Sequence, residues 1–258
     1  MSTIQLLRTY VPTPLYPPVA WAGARFYLTH AVIPFTLIAI ALCANFVWGL
    51  DQTVADALFA WEGHAWSLRE AFITEHLMHR GGRDFSLLAW FIVVGFWAWS
   101  LHDARNAQWR RPLGYLAVSL VLSTTLVAWI KSWSNMDCPW DLLRYGGTHP
   151  FIGLLDVRPV GMARARCFPA AQASVGYCWL ALYFFLGVVR PRLRWIGLLV
   201  GLGLGLLFGG AQQLRGAHFI SHDLWSLAIC WAVALMMFRL VWPKQVLTPS
   251  GHDVGGAK

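Results

Sequence analysis

Residues 194–242, RWIGLLVGLGLGLLFGGAQQLRGAHFISHDLWSLAICWAVALMMFRLVW, decide the fold. They hold two apolar runs, 194–213 and 223–242, each close to the roughly 20 residues that an α-helix needs to cross the hydrocarbon core of a bilayer. Between the runs lies a polar cluster: Gln212, Gln213, Arg215, His218, Ser221, His222 and Asp223. Ionisable residues at the edge of a membrane span are costly to keep and usually have work to do there. Working outward, runs of the same kind fall near 30–50, 85–102, 113–133 and 172–190. The expectation is an all-α, polytopic membrane protein with six transmembrane helices.

The composition agrees. The chain is 57% hydrophobic and 12% charged, whereas soluble globular domains carry about a quarter charged residues. Its 16 Trp and 15 Phe suit the two membrane interfaces, where aromatic rings are enriched. A formal charge of +8 would suit nucleic acid, but there is no basic arm and no nucleic-acid motif. The lipid bilayer is the expected partner and nucleic acid is not. The first 23 residues, interrupted by Pro12, Pro14, Pro17 and Pro18, lack the continuous apolar core of a cleavable signal.

Arg105, Arg110, Arg111, Arg190, Arg192, Arg194, Arg239 and Lys244 flank alternate helix ends. The positive-inside rule makes those ends cytoplasmic, with both termini, Arg8 and Arg25. Connections 51–84, 134–171 and 214–222 then face the periplasm across an inner (plasma) membrane. Arg144, Arg158, Arg164 and Arg166 work against that bias unless some of them bind ligand. The domain reading is a cytoplasmic N-terminal segment 1–25, one six-helix membrane domain 26–245 and a C-terminal tail 246–258. The glycines from Gly197 to Gly210 read as small residues that let helices approach closely.

The first outer connection carries Val54, Leu58, Trp61, Trp66, Leu68, Phe72 and Leu77 at roughly helical spacing. It reads as an amphipathic helix on the membrane surface. His76 and His79 share one face of it beside Glu75, a pair that would suit a metal. No further ligand stands at a recognisable spacing, so a solvated polar face is the preferred reading.

Two more polar clusters occur at outer helix ends: Lys131-Ser-Trp-Ser-Asn-Met-Asp137-Cys138-Pro139 and Cys167-Phe-Pro169-Ala170-Ala171-Gln172-Ala-Ser174. With the cluster around His218, they resemble the three motifs of the type 2 phosphatidic acid phosphatase family. Those motifs are Lys, six residues, Arg-Pro; then Pro-Ser-Gly-His; then Ser-Arg, five residues, His, three residues, Asp. The resemblance implies a six-helix lipid-phosphate phosphatase or phosphotransferase. In that family the third-motif His attacks phosphorus, its Asp orients the imidazole, the second-motif His protonates the leaving oxygen, and Lys and two Arg hold the phosphate.

Carried over, Lys131 would bind phosphate and His218 would be the nucleophile, forming a phosphohistidine. Other positions depart from the pattern. Cys138 and Gln212 stand in place of the two Arg, Ala170 and Ala171 replace Ser and Gly, and Gln172 replaces the acid His. His222 occupies the Asp position, with Asp223 one residue late. A glutamine donates no proton at useful pH, so a step worth roughly 10²–10⁴ in rate is affected. His222 is the candidate substitute acid and Asp223 the candidate orienting carboxylate. Arg215, ahead of Arg144, is the candidate replacement cation.

Cys138 and Cys167 both lie on the outer side and each touches a motif. In an oxidising compartment they would form a disulfide between motifs one and two; the alternative is two buried thiols. Cys43, Cys178 and Cys230 fall within spans and read as small hydrophobes. No cofactor or metal is expected. The implied substrate is a membrane lipid or polyprenyl phosphate. The competing reading, favoured by Gln172 and Ala170, is an impaired or inactive family member that binds anionic lipid or scaffolds a membrane enzyme.

Overall fold

The computed structural model describes residues 21, 23–153, 156–162 and 164–243. The tail 246–258 and most of the N-terminal segment, with Arg8 and Lys244, lie outside the described residues. Seven helices organise the rest: α1 Gly23–Trp48, α2 Leu50–Trp61, α3 Phe72–His102, α4 Ala104–Trp133, α5 Ala171–Val189, α6 Pro191–Leu214 and α7 Ile220–Val241. All but α2 are long and apolar enough to cross a membrane. Among the described residues there is no β-strand, only an isolated bridge between Leu142 and His149.

Helix α5 is the axis of the bundle, with 78% of its apolar window buried against none for α1. The core around it joins Tyr115 and Leu120 of α4, Tyr177, Leu180 and Phe184 of α5, and Cys230, Trp231 and Phe238 of α7. Helix α1 docks on this core through buried His30, whose ring meets the Tyr183 hydroxyl at 2.9 Å and whose carbonyl accepts Trp231 Nε1–H at 2.7 Å. The seam between α5 and α6 is made by glycine. A Cβ on Gly201 would lie 2.5 Å from the Leu180 nitrogen, and one on Gly176 would lie 2.4 Å from the Gly205 nitrogen. Only bare backbones can approach so closely.

The first outer connection differs from the continuous amphipathic helix expected over 54–77. It breaks after α2, where Gly63 and His64 both take positive φ, 79° and 57°. The Glu62 carboxylate closes the reversal by accepting the Leu68 amide at 2.8 Å. From Phe72 onward the chain belongs to α3, whose first ten residues, Phe72–Gly81, wind as a wide π-helix before the regular span.

The connection 134–170 folds over the same end of the bundle. A disulfide joins Cys138 and Cys167, with Cα atoms 5.2 Å apart. Asp137 is almost fully buried and takes both Arg158 amino groups, at 2.6 and 2.9 Å, and His149 Nδ1, at 2.6 Å. Burial pushes the Asp137 carboxyl up, but Arg158 and His149 outweigh it and hold its pKa below the usual range. A small second core of Ala55, Phe59, Trp66, Leu142, Tyr145 and Phe219 fastens α2 and this connection to the start of α7.

Two outcomes test this packing. Gly201→Ala should lower stability in detergent by about 1–3 kcal/mol. Gly203→Ala, where an added Cβ meets nothing within 4 Å, should change it by no more than about 0.5 kcal/mol; equal effects in thermal unfolding would contradict the glycine seam. Non-reducing peptide mapping should recover Cys138 and Cys167 in one linked peptide pair. Replacing both by Ser should cost roughly 2–4 kcal/mol.

Candidate active site

All three polar clusters meet at one end of the bundle, and the turn from α6 into α7 is its centre. Gly216 takes φ +67° there, and a Cβ on it would strike the Trp66 ring at 2.4 Å, so the turn is held flat beneath an indole. The Gly216 carbonyl accepts the Trp140 amide at 2.9 Å. Asp51, on α2, caps the first turn of α7 by accepting the Ser221 amide at 2.9 Å and the Ser221 hydroxyl at 2.6 Å. A carboxylate at this position satisfies donors that the helix itself leaves unpaired. A small gap beside the turn is lined by Asp51, Ala55, Trp66, Pro139, Gln213 and His218.

His218 is 6% exposed and lies one helical turn before His222, with the two Nδ1 atoms 3.3 Å apart. Burial drives the His218 pKa well below that of a free imidazole, the Lys131 ammonium pushes it further down, and the Cys167 carbonyl works in the opposite direction. His218 is therefore neutral at physiological pH. With both rings neutral, one Nδ1–H must face a bare Nδ1. If His218 donates, its Nε2 keeps a lone pair that could attack phosphorus. His222 is fully buried, and its own Nε2 has no partner among the described residues.

Lys131 comes up from the end of α4 and has no hydrogen bond or ion pair among the described residues, yet its charge acts on His218. Lys131, His218 and His222 thus form one constellation drawn from α4, the α6–α7 turn and α7. An unpaired ammonium beside a neutral imidazole is a natural seat for a phosphoryl group.

Other site expectations need correction. Asp223 does not turn to His218: its carboxylate accepts Gln213 Nε2 at 2.5 Å and lies against Gly209 of α6. One residue is about 100° of helix rotation, which carries Asp223 onto the α6 side and leaves His222 beside His218. His222 consequently stands beside His218, with its Nδ1 engaged there. Gln172 gives both amide hydrogens to carbonyls, to Met78 at 3.1 Å and to His79 at 2.8 Å.

Neither candidate arginine is free. Arg215 forms a buried ion pair with Glu75, donates Nε–H to the Arg69 carbonyl at 2.7 Å and gives Nη1–H to Gln212 Oε1 at 3.0 Å. Arg144 lies outside the site and pairs at the surface with Asp56 at 2.7 and 2.5 Å. Arg164 and Arg166 are exposed.

Three contributors come from the first outer connection: Asp51, Glu75 and His79. The His76 and His79 side chains do not act together. His76 is exposed and stacks on Phe72, whereas half-buried His79 meets Gln212 Nε2 through its Nδ1 at 3.2 Å. The only trace of this in sequence is the i, i+4 spacing of Glu75 and His79, which places both on the same side of the helix.

No curated protein matches the chain. Among solved structures it is similar to the first transmembrane PAP2 type phosphatidylglycerolphosphate phosphatase from Bacillus subtilis. That match has 16% identity and a TM-score of 0.49, and covers 83% of this chain and 94% of that one. Residues 112–245 match the family model of the PAP2 superfamily, a segment that runs from α4 to just beyond α7 and includes Lys131, Gln172, His218 and His222. With more than half of its length inside that match, this six-span membrane protein belongs to the PAP2 superfamily.

Proposed function

We propose that the chain is a lipid-phosphate phosphatase or phosphotransferase that works through a phosphohistidine on His218. The observation that carries this reading is a buried His218 whose Nδ1 lies 3.3 Å from His222 Nδ1, within electrostatic reach of Lys131, which has no bonded partner among the described residues. His218 donates Nδ1–H to His222, and its Nε2 lone pair attacks phosphorus. As the P–N bond forms, the bond from phosphorus to the leaving oxygen breaks and that oxygen departs with the electron pair. Lys131 balances charge on the phosphoryl oxygens. Water, or an acceptor hydroxyl, then attacks phosphorus and the P–N bond breaks, which releases phosphate or a phosphorylated acceptor and restores His218. Lys131, His218 and His222 are the residues assigned here. Gln172 is a structural anchor, and Asp223 and Arg215 hold neighbouring helices.

The site faces the periplasm in this reading, and the termini are cytoplasmic. Arg105, Arg110, Arg111, Arg190, Arg192, Arg194 and Arg239, at the end of the bundle away from His218, favour that orientation, whereas Arg144, Arg158, Arg164 and Arg166 at the site end count against it. The substrate is a lipid carrying phosphate at the outer leaflet of an inner membrane. Residues 26–245 form the working domain, with 1–25 and 246–258 as appendages.

The missing acid selects among such lipids. An alkoxide leaving from a phosphate monoester needs a proton, whereas a phosphate leaving from a diphosphate is already a good anion. Gln172 supplies no proton, so a polyprenyl diphosphate fits the site better than phosphatidic acid or phosphatidylglycerolphosphate. A second reading, an impaired member that binds anionic lipid, is favoured by the commitment of Gln172 and Arg215 to protein partners.

Phosphate release by the purified protein decides between them. Undecaprenyl diphosphate should be turned over well ahead of phosphatidic acid, and His218→Ala should abolish both activities. Gln172→His should narrow the gap by restoring an acid worth roughly 10²–10⁴ for the monoester. A parent silent on every lipid phosphate, with activity appearing only in Gln172→His, would establish the binding reading. The pH profile has a definite sign. Because the His218 pKa is lowered, the nucleophile stays unprotonated as pH falls through about 6.5, and the acid limb should lie below that value. An acid limb at or above about 6.5 in kcat/KM would exclude a His218 so buried.

A further inference from the structure

Two of the positions that depart from the family pattern hold the same residue. Gln172, in place of an acid His, grips the carbonyl of His79 at 2.8 Å. Gln212, in place of an Arg, meets the ring of His79 at 3.2 Å. His79 comes from a different part of the chain, the π-wound start of α3, and its ring meets Gln212, whose backbone carbonyl accepts the amide of Ala217, the residue before His218, at 2.9 Å. Replacements that look like losses in the motifs thus converge on one residue, Gln172 on its backbone and Gln212 on its ring.

The hydrogen bonds also fix what that imidazole can do. Arg215 has only donors, and it gives Nη1–H to Gln212 Oε1 at 3.0 Å. The Gln212 oxygen is thereby assigned, and the amide nitrogen must face His79. Since that nitrogen is a donor, His79 Nδ1 must be the acceptor, and the ring proton sits on Nε2. Arg215 cannot turn away, because its Nη2 is tied to Glu75 and its Nε to the Arg69 carbonyl. A proton on Nδ1 would confront the Gln212 N–H group, so the relay disfavours the imidazolium.

We propose that His79 is a substrate-binding residue that offers a fixed, neutral Nε2–H donor to the phosphoryl group bound between Lys131 and His218. The inference rests on the phosphatase reading above and extends it. The relay Glu75–Arg215–Gln212 turns a buried arginine, which cannot reach phosphate, into an orienting device for a histidine that can. The binding role of a missing motif arginine is taken over by a donor without charge. Such a donor suits a site where an added cation would destabilise its neighbours, and Lys131 already supplies one.

The full-length protein in detergent micelles, labelled with ¹⁵N-histidine, tests this directly, with His79 assigned by its loss in His79→Gln. At pH 7.5 the His79 ring should carry its proton on Nε2, and Gln212→Ala should release it to a mixture of tautomers. Titration with inorganic phosphate should shift Nε2. The phosphate dissociation constant should rise about tenfold to a hundredfold in His79→Ala, the range for a hydrogen bond to a charged group. His79→Gln, which keeps an N–H donor, should recover most of that loss, and KM for a lipid diphosphate should follow the same order. A proton on Nδ1, a cationic ring at pH 7.5, an unchanged dissociation constant in His79→Ala, or equal losses in the Ala and Gln variants would each overturn the role of His79. A parent protein that binds no phosphate would overturn the phosphatase reading and this inference together, whereas phosphate binding lost in His218→Ala but intact in His79→Ala would overturn the inference alone.

Discussion

Polar groups at the edge of a bilayer must find partners inside the protein, because lipid offers none. That constraint shapes the whole site end of this bundle. Asp51 spends both oxygens on Ser221, Glu75 holds Arg215, Asp137 holds Arg158 and His149, and Gln172 covers two carbonyls. What remains without a bonded partner is the more informative for it. Lys131 is unpaired among the described residues, and it lies within electrostatic reach of a histidine that burial keeps neutral. A cation without a bonded partner near a buried imidazole is a natural place for an anion to bind.

The close packing of the spans serves the same end. The glycine face of α6 lets α5 and α6 approach backbone to backbone, and its continuation at Gly209 leaves room for the Asp223 carboxylate. Asp223 therefore acts as a brace between α6 and α7, fixed by Gln213. With α7 braced on one side and capped by Asp51 on the other, the rotational setting of its first turn is determined. That setting brings the His222 ring to His218.

How much of this was legible in sequence depended on the range of the interaction. The six spans follow from uninterrupted apolar length, and the polar clusters that hold Lys131 and His218 stand out at the span ends, both of which are local. Asp223 was misread because a shift of one residue looks small in sequence and is a large rotation on a helix. Arg215 and Arg144 were misread because an arginine is available to ligand only if no acid reaches it. Their acids, Glu75 and Asp56, lie 140 and 88 positions away. His79 was visible only as half of a pair with His76. The contacts that matter to it, from Gln172 and Gln212, span more than 90 residues, and no periodicity encodes them.

The same reasoning changes how the departures from the family pattern should be weighed. Taken one position at a time, Gln172 and Gln212 are deletions: an acid lost and a cation lost. Taken together in space, both amides point to one histidine, and each uses a property that the replaced residue lacks. A histidine at 172 has one N–H at most to donate when neutral, whereas the Gln172 amide reaches the carbonyls of both Met78 and His79. An arginine at 212 could not accept from Arg215 and would oppose it, whereas the Gln212 amide accepts from Arg215 and donates to His79 in the same orientation. Two uncorrelated losses would leave unmatched donors and acceptors around them. Here the Gln172 nitrogen and both ends of the Gln212 amide are matched, as a site built around a different donor would require.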